Sequence, residues 1–293
     1  MTNFKTIGLI GRLGSAKVVD TLKRLIRFLD DHGYTLVIED RTATVLLDHG
    51  HREASRQTLG EICDLVIVVG GDGSLLGAGR AMSRTGTPVL GVNRGRLGFL
   101  TDISPNELEE RVGEVLAGHY EVEERFLLDA EVYRDDVLVG AADALNDVVM
   151  HPGKAVRMIE FELFIDGHFV YSQRSDGLII ATPTGSTAYA LSGGGPIMHP
   201  KLDAITLVPM FPHTLSSRPI VVDAASEIRI HIGETNEAYP HVSCDGQTKV
   251  VSKPDDILYV RRKPQRLTLL HPHGYNYYEV CRSKLGWSSR LGD

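Results

Sequence analysis

The sequence predicts an α/β domain of doubly wound, Rossmann-like type over residues 1–121, followed by a β-rich domain over residues 122–272. Three observations carry this. Strand-length apolar runs alternate with helix-period segments over the first ~120 residues. After Glu121 the pattern changes to short strand-like runs joined by Asp-Gly turns. The chain of 293 residues, with no internal repeat or low-complexity linker, has the length of one large domain or two ordinary ones.

In order, residues 7–10 form an apolar run that ends at Gly11 and Gly14, as a strand entering a loop does. Val18, Val19, Leu22, Leu25, Ile26 and Leu29 follow at helical spacing, with Gly33 as a stop. Residues 34–39 read as a second strand. Residues 65–69 (LVIVV) are continuous and β-branched, the signature of a parallel strand covered on both faces. A glycine loop, a helix around 74–84 and a strand at 88–92 come next. Ser104 and Pro105 suit the cap and first turn of a helix carrying Leu108, Val112, Val115 and Leu116.

In the second half, residues 126–133, 137–140, 158–165 and 169–172 are strand-like. Asp166-Gly167 is a hairpin turn, and Asp245-Gly246 marks another between 241–244 and 247–251. A short helix is expected near Ser186. The pattern does not decide where the tail after Pro272 packs.

Bulk properties exclude several function classes. A net charge of −7 gives no global field toward nucleic acid or anionic lipid. No stretch approaches the ~18 apolar residues of a membrane helix, and the first residues lack a secretory signal's long apolar core. Cys63, Cys244 and Cys281 are far apart and in no metal spacing, as suits reduced thiols in a cytoplasmic protein. The histidine pairs His49/His51 and His271/His273 fit exposed-loop or packing roles better than a zinc site.

The most informative segment is Gly70-Gly71-Asp72-Gly73-Ser74, between the buried strand and a helix. Gly70, Gly71 and Gly73 allow close backbone approach, and the amides of a helix N-terminus suit phosphate. Asp72 would repel phosphate unless it serves a hydroxyl or a metal, which points to phosphoryl transfer. A tight turn with a solvated Asp72 would leave the same pattern. A Walker loop needs Gly-Lys-Ser/Thr, absent here. The spacing of Gly8, Gly11 and Gly14 misses the dinucleotide fingerprint, although Glu39 ends the next strand. The second segment, Arg174-Ser175-Asp176-Gly177 and then residues 182–189 (TPTGSTAY), continued by residues 192–196 (SGGGP), is dense in hydroxyls and glycines and bounded by apolar strands. Long ordered loops of this kind are usually functional. Asn146-Asp147 lies within an apolar run, as a solvated pair or a site pair.

Together GGDG, LND, SDG and TPTGSTAY, in this order, resemble the bacterial NAD kinase family. The match runs from Ile7 to Lys284-Leu285-Gly286-Trp287 and includes MHPG and VPMFPHTLSSRP. The resemblance implies a two-domain fold in which residues 273–293 return to the first domain. It implies transfer of the γ-phosphoryl group of ATP to the 2′-hydroxyl of the adenosine ribose of NAD. Asp72 is then the proton acceptor. Asp72, Gly73, Asn146, Asp147, Asp176 and the segment Thr187, Ala188, Tyr189, Ala190, Leu191 and Ser192 are expected to bind NAD, together with Arg157, Arg174 and Gln247. An Arg at position 174 resembles the type strict for NAD over NADH. Many members carry Asn-Glu where this chain has Asn146-Asp147, a side chain about 1.5 Å shorter in reach. The family uses a divalent cation, Mg²⁺ in the first instance, with ATP. Some members accept polyphosphate, and members are homodimers or homotetramers. No metal ligand is legible in the residues. The competing readings are a GGDG-type kinase acting on a lipid or sugar, and a catalytically silent NAD(P)-binding sensor.

Overall fold

The computed structural model describes residues 4–94, 98–153, 157–237 and 239–287. The chain forms two compact units, Met1–Glu124 with Arg266–Asp293, and Arg125–Gln265.

The first unit runs β1 (Thr6–Gly11), α1 (Ala16–Asp31), β2 (Thr35–Glu39), α2 (Asp40–Ala43), β3 (Arg52–Ala54), α3 (Arg56–Ile62), β4 (Leu65–Gly70), α4 (Asp72–Met82), β5 (Val89–Asn93) and, after a 3₁₀ turn at Pro105–Glu107, α5 (Leu108–Leu116). Strand β6 (Tyr120–Arg134) begins in the first unit and ends in the second, where there follow β7 (Val137–Ala144), β8 (Asp147–His151), β9 (Ile159–Ile165), β10 (His168–Ser175), β11 (Gly177–Ala181), a 3₁₀ turn (Gly185–Thr187) and α6 (Tyr189–Ser192). The chain continues with β12 (Ala204–Met210), β13 (Ile220–Asp223), β14 (Ile228–Ile232), β15 (His241–Cys244), β16 (Thr248–Val251), β17 (Ile257–Pro272) and α7 (Tyr277–Leu285). The C-terminal part of β17 and α7 belong to the first unit, so the chain returns to it as expected.

The sheet of the first unit is parallel, in the order β17-β5-β4-β1-β2-β3. All of β4 is buried, and its alternation assigns the two faces. Leu65, Ile67 and Val69 pack with Val18, Leu22, Leu25 and Leu29 of α1 and with Leu108, Val112 and Val115 of α5. Each such aliphatic side chain withdrawn from water contributes ~2 kcal/mol. Between β2 and β4 three elements escaped the sequence reading, the four-residue helix α2 and two more. Strand β3 has only three residues at the sheet edge. Helix α3 has seven residues, with Leu59 and Gly60 as its buried positions and a Ser55 cap accepting from Thr58 N–H at 3.2 Å. The helix expected around 74–84 instead starts at Asp72, because Gly71 is its extended N-cap and Gly71 O accepts from Ser74 N–H.

The second unit is antiparallel. One sheet has the order β13-β12-β11-β8-β15-β16, and the other carries β10-β9-β14-β17 with β6 on β7 and β17. Inward residues such as Phe126, Phe161, Leu178, Ile180, Leu207 and Val260 share one core. The expected turns hold: Asp166-Gly167 (φ 51° and 77°) and Asp245-Gly246 (φ 52° and 64°) both take the left-handed conformation of tight hairpin turns, the first as a two-residue loop and the second with Gln247 completing the loop before β16. Asp135-Asp136 (φ 48° and 61°) makes a third such turn, with no glycine to signal it.

Candidate active site

The strand order gives Asp72 its place. Between β1 and β4 the sheet reverses its winding direction, and open α/β sheets bind ligands beyond the carboxyl ends of the strands at that reversal. The two loops touch there, since Arg12 N–H donates to Val69 O at 3.0 Å. At Gly70 an added Cβ would lie 2.6 Å from Ser74 Oγ, whereas at Gly71 and Gly73 it would meet nothing within 4 Å. The loop is therefore closed at its base and open at its tip. Asp72 opens α4, where a negative charge is favoured by the helix dipole.

The Asp72 carboxylate is fixed by backbone. Oδ2 accepts from Phe99 N–H at 3.0 Å, and Oδ1 accepts from Leu100 N–H at 3.1 Å and from Thr101 Oγ1 at 3.4 Å. A carboxylate offers about four lone-pair sites, so accepting capacity remains for a hydroxyl. Gly98 makes this approach possible: a Cβ there would lie 2.1 Å from Asp72 Oδ1. The solvated-turn reading of Asp72 therefore does not hold. The dinucleotide fingerprint fails physically as well. Gly11 N–H is taken by Thr42 Oγ1 at 2.9 Å, and buried Glu39 is gripped by Thr42 Oγ1 at 2.7 Å and Arg56 Nε at 2.8 Å.

The second unit contains a cavity of about 860 Å³. Of the sequence-derived residues it gathers Asn146, Asp147, Arg157, Asp176, Ala188 and Tyr189. Its floor is built at the start of β8. The Asp245 carboxylate accepts from three successive amides, Leu145 at 3.1 Å, Asn146 at 2.7 Å and Asp147 at 3.3 Å. Asp245 N–H in turn donates to Asp147 O at 3.0 Å. From the other side Thr182 donates through N–H to Asn146 O at 2.9 Å and through Oγ1 to Leu145 O at 2.6 Å. Arg125, itself buried, donates to Thr184 Oγ1 at 3.0 Å and so steadies the same loop. Asp147 is 5% exposed. Burial, and then the charge of Asp245, push its carboxyl up to about 7. Asp245 and His151 also line this cavity, and the sequence reading proposes neither as a binding residue. Asp245 had been read only as a turn former, and the signal available was an acid beside a glycine, which any hairpin shares.

Most of the other sequence-derived residues lie outside this lining. Gly70, Gly71, Asp72 and Gly73 belong to the first unit. Ala190 is fully buried against Val149, Ile179 and Val208, and Thr187 Oγ1 turns back to Thr184 O at 3.2 Å. Ser192 and Tyr189 line a smaller cavity of about 310 Å³, while Leu191 is half-buried beside them. Arg157, at the cavity wall, is ion-paired with Glu237. Arg174 on β10 and Gln247 in the turn after β15 are exposed and outside the lining of the large cavity. Among the described residues no three His, Cys, Asp or Glu side chains gather as a metal cage. His271 is neither in an exposed loop nor simply packed: it is buried between two carboxylates, whereas His273 is exposed.

Known proteins resemble the chain over its whole length. A family profile described as the ATP-NAD kinase N-terminal domain matches residues 7–120, and one described as the ATP-NAD kinase C-terminal domain matches residues 145–271. An NAD kinase of Chromohalobacter salexigens is 76% identical over 293 residues, covering 100% of both chains. One of Pseudomonas entomophila is 64% identical over 292 residues, covering 100% of this chain and 99% of its own. Among solved structures, a yeast NADH kinase complexed with NADH aligns with a TM-score of 0.88 at 25% identity, over 99% of this chain and 91% of that one. An NAD kinase from Archaeoglobus fulgidus in complex with ATP shares the fold, with a TM-score of 0.75 at 24% identity over 97% of this chain and 100% of that one. With both family domains matched and relatives this similar end to end, the chain belongs to the ATP-NAD kinase family.

Proposed function

We propose that the protein transfers the γ-phosphoryl group of ATP to the 2′-hydroxyl of the adenosine ribose of NAD, giving NADP and ADP. The observation that carries this reading is the Asp72 carboxylate, held by two backbone amides at the winding reversal of the sheet in a chain of this family. A new bond forms between the ribose 2′-oxygen and the γ-phosphorus, the bond from that phosphorus to the β,γ-bridging oxygen breaks, and ADP leaves. Asp72 orients the hydroxyl and takes its proton late, since a loose phosphoryl-transfer transition state asks little of its base. The cavity of the second unit receives the dinucleotide. Its carboxylates and Asn146 can accept and donate to ribose hydroxyls, and the half-exposed Tyr189 ring offers a stacking face. Arg174 and Gln247 remain candidates for contacts to the phosphates or the nicotinamide end.

A divalent ion fits as a passenger of ATP. No cage of three metal-binding side chains exists among the described residues, and Mg²⁺ commonly enters such sites on phosphate oxygens with water completing its shell. It would supply charge neutralisation on the transferring group. We place the enzyme in the cytoplasm, in keeping with three buried, unbridged cysteines and with no described helix long and apolar enough to cross a membrane. We further propose a homodimer or homotetramer. Strands β7 and β10 carry exposed apolar side chains, among them Val137 (63%), Leu138 (48%) and Phe169 (58%), that a second copy would cover. A fully active monomer at high dilution, seen by sedimentation, would overturn that.

The test is NADP formation from NAD, ATP and Mg²⁺, with NADH in parallel. Activity should vanish with a chelator and return with added Mg²⁺. A folded protein that binds NAD but makes no NADP would reject the kinase reading.

The raised carboxyl of Asp147 gives a pH signature. Folding favours its protonated form below about 7, so a ligand that hydrogen-bonds to the carboxylate must expel a proton there and need not above it. The dissociation constant of NAD should therefore fall as pH rises from 6 to 8, by at most ~10-fold per unit for a single proton. Calorimetric titration across that range should show the trend in the wild type and a flat profile in Asp147→Asn. The same slope in both proteins would remove Asp147 from the binding site.

A further inference from the structure

The segment that holds Asp72 is itself held, position by position. Asp72 binds the amides of Phe99 and Leu100. Asn93 Nδ2 donates to Thr101 O at 3.2 Å and contacts Thr101 Oγ1 at 3.1 Å. Ile103 O accepts from Asn93 N–H at 2.8 Å. Asp102 is a link whose restraint comes from the returning C-terminal strand. Its Oδ2 lies 2.9 Å from His271 Nδ1, and the far side of the same ring, Nε2, lies 3.1 Å from Glu123 Oε2 on β6.

The three side chains are nearly closed to water, at 2% exposure for His271, 11% for Asp102 and 10% for Glu123. Only the imidazolium can donate from both nitrogens at once. Tyr275 stacks on the ring at 4.0 Å between centroids and 13° between planes, which fixes its orientation. Asp102, Glu123 and Tyr275 are the titratable groups that face it. Burial alone would discharge the ring, but the hydrogen bonds and charges of Asp102 and Glu123 outweigh it and hold the imidazolium up to about 9. The same C-terminal return makes a second contact, because the Tyr277 ring of α7 lies 6.3 Å from that of Phe99, whose amide binds Asp72.

We propose that His271 is a positioning residue for Asp72: clasped between Asp102 and Glu123, its ring ties the C-terminal return to the segment whose amides aim the catalytic carboxylate. Replacing the cation by a neutral group leaves two buried carboxylates facing each other across a single donor. The 99–102 segment then relaxes, and Asp72, which depends on it for two amide hydrogen bonds and one from the Thr101 hydroxyl, loses its fixed direction. Misaiming by a fraction of an ångström is enough to slow a positioned reaction.

The kinetic arm of the test rests on the kinase reading, and the spectroscopic arm does not. In His271→Gln, assayed at a temperature where a melting curve shows it folded, kcat should fall ~10-fold while KM for NAD stays within ~2-fold. The amide resonances of Phe99 and Leu100 should shift in the same variant. In the wild type those two amides should shift with pH with a midpoint at about 9, together with a loss of kcat, and His271→Gln should lack both. A folded variant with wild-type kcat and unmoved amides would overturn the proposal. If His271→Gln does not fold, the wild-type pH series decides alone: amides of Phe99 and Leu100 that ignore the titration of His271 overturn it. Should no NADP form at all, the kinase reading fails, and the amide shifts still report on the brace.

Discussion

Asp72→Asn is expected to lower kcat by ~10³, within the range that positioned acid–base groups supply, while NAD affinity changes less than ~3-fold. The two effects separate because the amide side chain keeps one accepting oxygen but cannot take a proton. Its other end carries N–H donors, and these must face either Phe99 N–H or Leu100 N–H, both of which now donate to the carboxylate. One backbone amide is thus left opposed by a donor, at a cost of ~1–3 kcal/mol. Loss of the charge at the first turn of α4 removes a further ~0.3–1 kcal/mol. The variant should melt lower than the wild type yet fold, so steady-state kinetics at low temperature can be read cleanly. A variant with kcat near that of the wild type would show that Asp72 only shapes the loop.

What the sequence revealed and what it hid follow from the range of the interactions involved. Strand β4 was legible because five consecutive apolar residues admit no amphipathic alternative, and Asp72 because an acid among glycines is costly beside phosphate. The Asp166-Gly167 and Asp245-Gly246 turns were legible from local backbone sterics. Strand β3 and helix α3 were not, being too short to show a period. The Asp135-Asp136 turn lacked the glycine that marks its kind. The second role of Asp245 depends on amides 98 to 100 positions away in sequence. His271 looked like half of a loop pair because its partners, Asp102 and Glu123, lie 169 and 148 residues earlier. Arg174 and Gln247, taken from the family resemblance, sit outside the cavity that gathers Asn146, Asp147 and Tyr189. Motif order names the segments without saying which side chains share a wall.

Gly185→Ala should be the most damaging single change to dinucleotide binding. A Cβ at this position would lie 2.1 Å from Asn146 O, 2.4 Å from Asn146 C and 2.8 Å from its Cα, all backbone atoms. Asn146 cannot give way cheaply. Its carbonyl is bound by Thr182 N–H at 2.9 Å, and its amide by Asp245 Oδ1 at 2.7 Å. The 3₁₀ turn at 185 is tied from its own side, through Gly185 N–H to Thr182 Oγ1 at 3.2 Å. Either the 182–187 turn or the Asn146-Asp147 floor must therefore move by more than an ångström, breaking at least one of these buried bonds. Overpacking of this kind costs ~1–3 kcal/mol, and an orphaned buried amide adds a comparable amount. Denaturant unfolding should show that loss, and calorimetry on the fraction that remains folded should show NAD affinity reduced at least ~10-fold, since Asn146 and Asp147 are the groups displaced. Unchanged NAD binding in a folded Gly185→Ala protein would mean that the floor of this cavity does not touch the dinucleotide, and the site would have to be sought on another face of the second unit.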